Sequence, residues 1–249
     1  MLNDQAFMRY SRQLLLEEFG PGGQEKIQAA KVLIVGLGGL GSPAALYLAA
    51  AGVGQLTLAD DDTLHITNLQ RQILYRTADL DQPKARLAKR ELLRLNPLCE
   101  VSAITERLAG HALTAAVAAA DLVLDCSDNM TTRHAVNKAC IEAKKTLVSG
   151  SAVGFSGQLF VLEPPYGQGC YACLYPDHDT PARNCRTSGV LGPVVGVIGT
   201  LQALEALKII AGMGSALSGK LRLFDGKQQS WCTVQLTRSE VCAICGDRP

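Results

Sequence analysis

The segment from Lys31 to Asp62, KVLIVGLGGLGSPAALYLAAAGVGQLTLADDD, constrains the fold more than any other stretch of the chain. Lys31 to Val35 is a short apolar run, which predicts a strand buried on both faces. It turns on Gly36, Gly38, Gly39 and Gly41, enters an Ala/Leu-rich helix from about Ser42 to Ala51, and returns as a second strand, Gln55 to Ala59, ending on Asp60. Glycines let a backbone turn sharply and approach a phosphate closely. The helix N-terminus adds N–H groups and partial positive charge, and an acid after the second strand suits ribose hydroxyls. The unit predicts nucleotide binding. Taken alone, the glycines leave a dinucleotide, ATP and close packing without a ligand all open.

Strand and helix alternate downstream. A helix begins at Pro83, carries Leu87, Leu92, Leu93 and Leu95 as its stripe, and stops at Asn96-Pro97. A strand over 99–104, a helix from His111 to Ala120, a strand from Asp121 to Cys126, then Ser127-Asp128-Asn129 and a helix reaching about Ala143, and a strand from Thr146 to Ser149 follow. Such alternation predicts a mostly parallel sheet whose ligands sit beyond the carboxyl ends of the strands, where Asp60 and Asp128 fall. Three later strand-like runs, 157–162, 221–224 and 231–236, lack crossover helices and suit antiparallel strands. A Cys-Pro-Gly-rich loop over 163–190 and a helix from about Val194 to Ala211 lie among them. Residues 5–19 suit one or two short helices, Gly20-Pro21-Gly22-Gly23 reads as a break, and the polar stretch 61–82 reads as a long functional loop. The expected fold is α/β: a Rossmann-like, mostly parallel sheet extended by antiparallel strands, with a four-cysteine zinc site. It would form a single domain over 1–249, with an N-terminal helical segment (1–23), a nucleotide-binding core (31–150) and an antiparallel extension holding the cysteine loop and zinc site (151–249).

Charge narrows the partners. With 24 basic and 23 acidic residues and no long run of either sign, neither a nucleic-acid face nor a polybasic membrane surface is expected. The polar, acid-containing N-terminus is unlike a signal peptide, and the longest apolar stretches, interrupted by glycine, are expected to fall short of a membrane span. Nine cysteines in such a chain point to a reducing, cytoplasmic setting in which thiols are ligands, reactive groups or core filler.

Asn68, Arg71 and Lys84 follow the ribose acid closely. A dehydrogenase binding NAD has little need of two cations there, whereas adenylyl transfer needs positive charge around a triphosphate as pyrophosphate leaves. Asp128, directly after a buried strand, is a natural ligand for Mg²⁺. Cys170-x-x-Cys173 and Cys242-x-x-Cys245 each sit in a glycine-containing turn, and together offer Zn²⁺ a closed tetrahedral site. A redox dithiol would explain one pair and leave the other idle. Cys126 and Cys140 read as core filler, as do Cys99 and Cys232. Cys185 lies in a polar loop beside Arg183 and Arg186, cations that would favour its thiolate; an exposed thiol without a role reads equally well. None of His65, His111, His134 and His178 has triad or metal spacing. Adenylating a carboxylate needs no base, because a C-terminal carboxyl of pKa ~3.5 is already ionised at neutral pH.

These features stand together as RYSRQ (Arg9 to Gln13), GLGGLG (Gly36 to Gly41), DDD (Asp60 to Asp62), NLQRQ (Asn68 to Gln72), DQPKA (Asp81 to Ala85), LDCSDN (Leu124 to Asn129) and both cysteine pairs. The chain resembles, over nearly its full length, the ThiF/MoeB family of ubiquitin-activating-type adenylyltransferases. ADDD at Ala59 to Asp62, GQGCYACLYPD, and the run from Arg183 to Lys208 look more like its thiamine branch than its molybdopterin branch. The resemblance implies ATP-dependent adenylation of the C-terminal glycine of a ubiquitin-like sulfur carrier protein ending in Gly-Gly, with release of pyrophosphate. Gly38, Gly39 and Gly41 would line the phosphate turn, and Asp60, with Asp62 beside it, would hold the ribose. Asn68, Arg71 and Lys84 would contact phosphates, and Asp128 would bind Mg²⁺. Arg12 would come from the second subunit of a homodimer, and Cys185 would form a covalent acyl-disulfide link with the carrier. Cys170, Cys173, Cys242 and Cys245 would bind zinc. Sulfur would come from a separate donor, a cysteine desulfurase or sulfurtransferase.

Overall fold

A computed structural model describes residues 2–176 and 188–246. The apolar runs form one eight-stranded sheet: β1 (Lys31–Val35), β2 (Gln55–Ala59), β3 (Glu100–Ile104), β4 (Leu122–Asp125), β5 (Thr146–Val153), β6 (Ser156–Leu162), β7 (Lys220–Asp225) and β8 (Ser230–Gln235). Their spatial order is β3-β2-β1-β4-β5-β6-β7-β8. Pairings from β3 across to β5 are parallel, and those from β5 to β8 are antiparallel. The chain winds from β1 outward to β3, then crosses back to lay β4 on the other side of β1. A crevice opens at such a reversal, and here it lies at the carboxyl ends of β1 and β4.

Both faces of the sheet are covered, which is why its central strands read as unbroken apolar runs. Val32 and Ile34 point to one face, under α3 (Gly41–Ala51), α4 (Lys84–Leu95) and a long helix, Gly192–Ala211. Leu33 and Val35 point to the other, under α5 (Gly110–Ala119) and α6 (Met130–Glu142). A four-residue helix, α7 (Tyr171–Leu174), packs beside α6, making the long helix α8. At the far edge β8 is exposed along its whole length.

Some expectations need correction. The Gly20-Pro21-Gly22-Gly23 run is not a break but the first turn of α2 (Gly20–Ala29), after α1 (Asp4–Leu14). Proline is tolerated in a first turn because its missing N–H has no intrahelical partner there. A Cβ on Gly23 would lie 3.2 Å from the Phe19 ring and 3.4 Å from Ala211, so a small residue lets α2 seat against α8. Helix α8 spans 20 residues with mean hydropathy 1.7, long and apolar enough by those measures to cross a membrane, contrary to expectation. Half of its apolar window is buried within the fold against α3, β5 and β6; it is a core helix. Leu95 is 39% exposed and does not join the α4 stripe, and Cys232 is exposed on β8 rather than buried. The 61–82 loop carries short 3-10 turns at Ile66–Asn68 and Thr77–Asp79, and β5 continues four residues past Ser149, to Val153.

Candidate active site

The crevice is a cleft of about 1450 Å³ at the carboxyl edge of β1, β2 and β4. Its floor is the glycine turn. Gly36 has φ of +92°, and a Cβ there would lie 2.8 Å from the Cys126 backbone, so only glycine fits where the turn meets the end of β4. Gly36, Gly38 and Gly39 line the cleft. Gly41 stands one turn behind, as the first residue of α3, where a Cβ would be 2.0 Å from the Gly36 carbonyl oxygen. No side chain caps the N-terminus of α3, and its N-cap residue, Leu40, lines the cleft.

Helix α8 presses on this turn from below. A Cβ on Gly199 would meet the Leu40 carbonyl at 2.2 Å, and one on Gly39 would meet Val195 at 2.8 Å. The turn and α8 are thus in backbone-close contact.

At the end of β2, the Asp60 carboxylate accepts the Leu37 N–H at 2.7 Å and the Asp62 N–H at 2.9 Å. Burial raises its pKa above the ordinary aspartate value, against the opposing pull of Lys84 and the two N–H bonds. Lys84, buried at the start of α4, pairs with Asp62 at 2.9 Å. The intervening loop folds back over the turn. Asn68 Oδ1 accepts the His65 N–H at 3.0 Å, and Arg71 donates to the Thr67 carbonyl at 3.0 Å. Tyr75 is buried, its pKa pushed well up by burial and by the Asp60 charge. Gly38, Gly39, Asp60, Asp62, Asn68, Arg71, Lys84 and Asp128 all line the one cleft, which brings together two cations, Arg71 and Lys84, and three carboxylates, Asp60, Asp62 and Asp128. Arg12, exposed in the last turn of α1, is not among the lining residues.

Asp128 sits exposed at the cleft mouth, and Asn129 caps α6 by accepting the Thr132 N–H at 2.9 Å. Behind this loop lies a network that the sequence reading missed. Asp125, 1% exposed, accepts from Ser127 Oγ at 2.6 Å, from the Ser127 N–H at 3.0 Å and from Ser149 Oγ at 3.0 Å. Arg133, 6% exposed, faces it at 3.7 Å and donates to the Ser127 and Gly150 carbonyls. Burial works against the guanidinium charge, but Asp125 together with Tyr171, Cys126 and Asp128 more than offsets it and raises the pKa. Gln202 of α8 donates to the Asp125 and Val148 carbonyls at 2.9 and 3.1 Å. The available signal was an aspartate at the end of an apolar strand with an arginine eight residues on, too ordinary to single out.

The cysteine pairs, far apart in sequence, converge. Cys170 and Cys242 Sγ lie 3.8 Å apart, Cys173 and Cys245 Sγ 3.4 Å apart, and all four sulfurs fall within 4.8 Å of one another. Sulfurs around a tetrahedral zinc are ~3.8 Å apart, so the donor set and spacing fit one metal ion and no disulfide. Cys242, though burial opposes it, is drawn down to about 7 by the N–H groups of Cys245 and Ile244, while burial pushes Cys245 up. Between Cys170 and Cys173, α7 turns Tyr171 toward the cleft, and Tyr175 follows; both line it, and the Tyr175 hydroxyl donates to Gln158 at 2.7 Å. Cys99, Cys126 and Cys140 are buried, their thiols pushed up by burial. Cys185, with Arg183, Arg186 and His178, lies outside the described residues. His134 packs edge-on to Tyr171, and His65 takes part in a local turn.

A model described as the ThiF family matches residues 10–244. The chain is 57% identical to the sulfur carrier protein ThiS adenylyltransferase of Escherichia coli strain K12, an alignment covering 98% of this chain and 97% of that one. Identity to the molybdopterin-synthase adenylyltransferase of the same organism is 44%, covering 98% of each. The adenylyltransferase and sulfurtransferase MOCS3 of Drosophila yakuba is 45% identical over the whole chain, which spans 55% of that protein. Among solved structures, E. coli MccB with ATP superposes with a TM-score of 0.81 at 27% identity, covering 96% of this chain and 73% of MccB.

Proposed function

The chain belongs to the ThiF family, and we propose that it uses ATP to adenylate the C-terminal glycine carboxylate of a ubiquitin-like sulfur carrier, releasing pyrophosphate. It is an adenylyltransferase. The observation that carries the reading is the gathering of the glycine turn, Asp60, Asn68, Arg71, Lys84 and Asp128 around one cleft.

In this reading the α3 N-terminus and the N–H groups of Gly38 and Gly39 donate to phosphate oxygens, while Gly41 shapes the turn from behind. Asp60 accepts from the ribose hydroxyls, with Asp62 holding Lys84 at the adjoining edge. A carrier carboxylate oxygen attacks the α-phosphorus, and the bond from that phosphorus to the bridging oxygen of pyrophosphate breaks. Asn68, Arg71 and Lys84 donate to the oxygens on which charge collects. Asp128, a hard oxygen donor at the cleft mouth, suits Mg²⁺, which when bound supplies further positive charge to the phosphates. Arg12, outside its own cleft, would reach the phosphates of a second subunit in a homodimer. The four cysteines hold Zn²⁺ as a closed, structural site. Cys185 serves later: the outer sulfur of the donor protein's persulfide displaces AMP from the acyl-adenylate, and the Cys185 thiolate then displaces the donor's thiolate, leaving carrier and Cys185 joined as an acyl disulfide. The setting is cytoplasmic, where these thiols stay reduced.

The carrier is that of the thiazole-forming, thiamine branch, supported by the higher identity to the ThiS adenylyltransferase. ATP–pyrophosphate exchange with purified protein and each carrier ending in Gly-Gly tests this. Exchange with the ThiS-like carrier is expected; exchange with the molybdopterin carrier alone would move the protein to the other branch, and none with either would sink the proposal.

A further inference from the structure

Helix α6 carries a fully buried asparagine that none of these roles uses. Asn137 is 0% exposed, and an amide so placed is costly unless both its ends are paired. Its Oδ1 accepts the Tyr171 N–H at 3.1 Å, and its Nδ2 donates to Cys170 Sγ at 3.5 Å. Chemistry fixes this orientation: a backbone N–H can only donate, so the amide oxygen must face Tyr171 and the NH₂ must face the sulfur.

Cys170 and Tyr171 are neighbours in sequence that serve different places. The first belongs to the four-sulfur cluster. The second lines the cleft, its ring 5.0 Å from that of Tyr175 and edge-on to His134 at 5.4 Å. One turn earlier on the same face of α6, Arg133 grips the Ser127 and Gly150 carbonyls at the cleft. A single rigid helix thus touches the sulfur cluster at one residue and the nucleotide side of the cleft at another.

We propose that Asn137 is a positioning residue of the four-cysteine metal site, donating to the Cys170 thiolate while pinning the Tyr171 backbone, so that the metal cluster and the tyrosine wall of the cleft are held as one unit. The inference rests on the reading of a metal ion at those cysteines. An N–H bond to a ligating thiolate withdraws electron density from the sulfur and fixes its direction toward the ion. Removing such an outer partner typically weakens metal binding 10- to 100-fold.

The test uses the full chain loaded with zinc, or with cobalt as a coloured substitute, in the wild type and in Asn137→Asp and Asn137→Leu. Both variants lose the donor to Cys170. Each should therefore shift the sulfur-to-cobalt charge-transfer band to lower energy and release zinc to a chromogenic chelator about 10-fold faster. Asn137→Asp keeps the oxygen that receives Tyr171, so only Asn137→Leu should alter the near-ultraviolet dichroism of the tyrosines. General loosening of the fold would speed release without moving the band. If Asn137→Leu fails to fold, the band and release rate of Asn137→Asp decide alone. An unshifted band overturns the inference, whether release is unchanged or faster; a wild-type protein that takes up neither zinc nor cobalt overturns the metal reading and this inference with it.

Discussion

The Tyr75 hydroxyl donates to the Leu37 carbonyl at 2.9 Å. Leu37 in turn donates its N–H to Asp60 at 2.7 Å. The long loop after β2 therefore clamps the glycine turn against the acid that follows it, so the phosphate side and the ribose side of the cleft are set by one short chain of bonds.

Tyr75→Phe keeps the ring and removes the clamp. Leaving a buried carbonyl short of its main donor costs about 1–3 kcal/mol. We expect that loss in urea unfolding, together with weaker ATP binding by calorimetry and little change in metal content.

Acid should weaken nucleotide binding at a pH above the ordinary aspartate value. Burial raises the pKa of Asp60, and ribose hydroxyls need its ionised form as acceptor. Affinity is therefore full above the raised pKa and falls as pH drops through it. For stability the sign reverses: the fold favours the neutral acid, so the contribution of this group declines as pH rises from 3.8 through the raised value. Titrating ATP affinity against pH in wild type and Asp60→Asn checks this, the variant being expected to bind weakly and without that acid limb.

Arg133→Met should destabilise by about 3–5 kcal/mol, because it strands Asp125 as a buried charge. Adding Asp125→Asn should recover part of the loss, since the two act as one unit. A double-mutant cycle in urea reads both; additive losses would show that the pair is not coupled.

Chelating the metal, or Cys245→Ser, should lower the melting temperature sharply. Metal binding free energy at such sites reaches roughly 10 kcal/mol and is also folding free energy. Calorimetric scans with and without chelator measure it. Pyrophosphate exchange in protein that stays folded should fall less than stability does.

Cys185→Ala should spare ATP–pyrophosphate exchange and abolish any covalent carrier adduct seen on a non-reducing gel. An adduct that persists would remove Cys185 from the transfer step.

Much of this architecture was legible from periodicity, because each central strand of a doubly covered sheet must be apolar on both faces: KVLIV and QLTLA mark β1 and β2 to the residue. The start of α2 was not, since Gly-Pro-Gly-Gly carries turn chemistry and only packing against α8 turns it into helix. Site residues with distinctive types in loops, such as Asp60 and Arg71, stood out. Asp125, Arg133, Gln202 and Asn137 did not, because their meaning comes from partners that are remote in the chain or separated by a helix turn. Cys232 shows the converse: on an edge strand, an apolar neighbourhood in sequence does not become burial.

The contact of α8 with the glycine turn has a consequence for how the protein is made. Leu40 and Gly39 rest against Gly199 and Val195, so the nucleotide-binding turn leaves the ribosome long before the helix it rests on. A nascent chain cut before Gly192 carries the whole phosphate-binding motif yet lacks the surface that holds it in shape. Such a fragment should neither bind ATP nor resist proteolysis, and the enzyme should gain both only once α8 has been made.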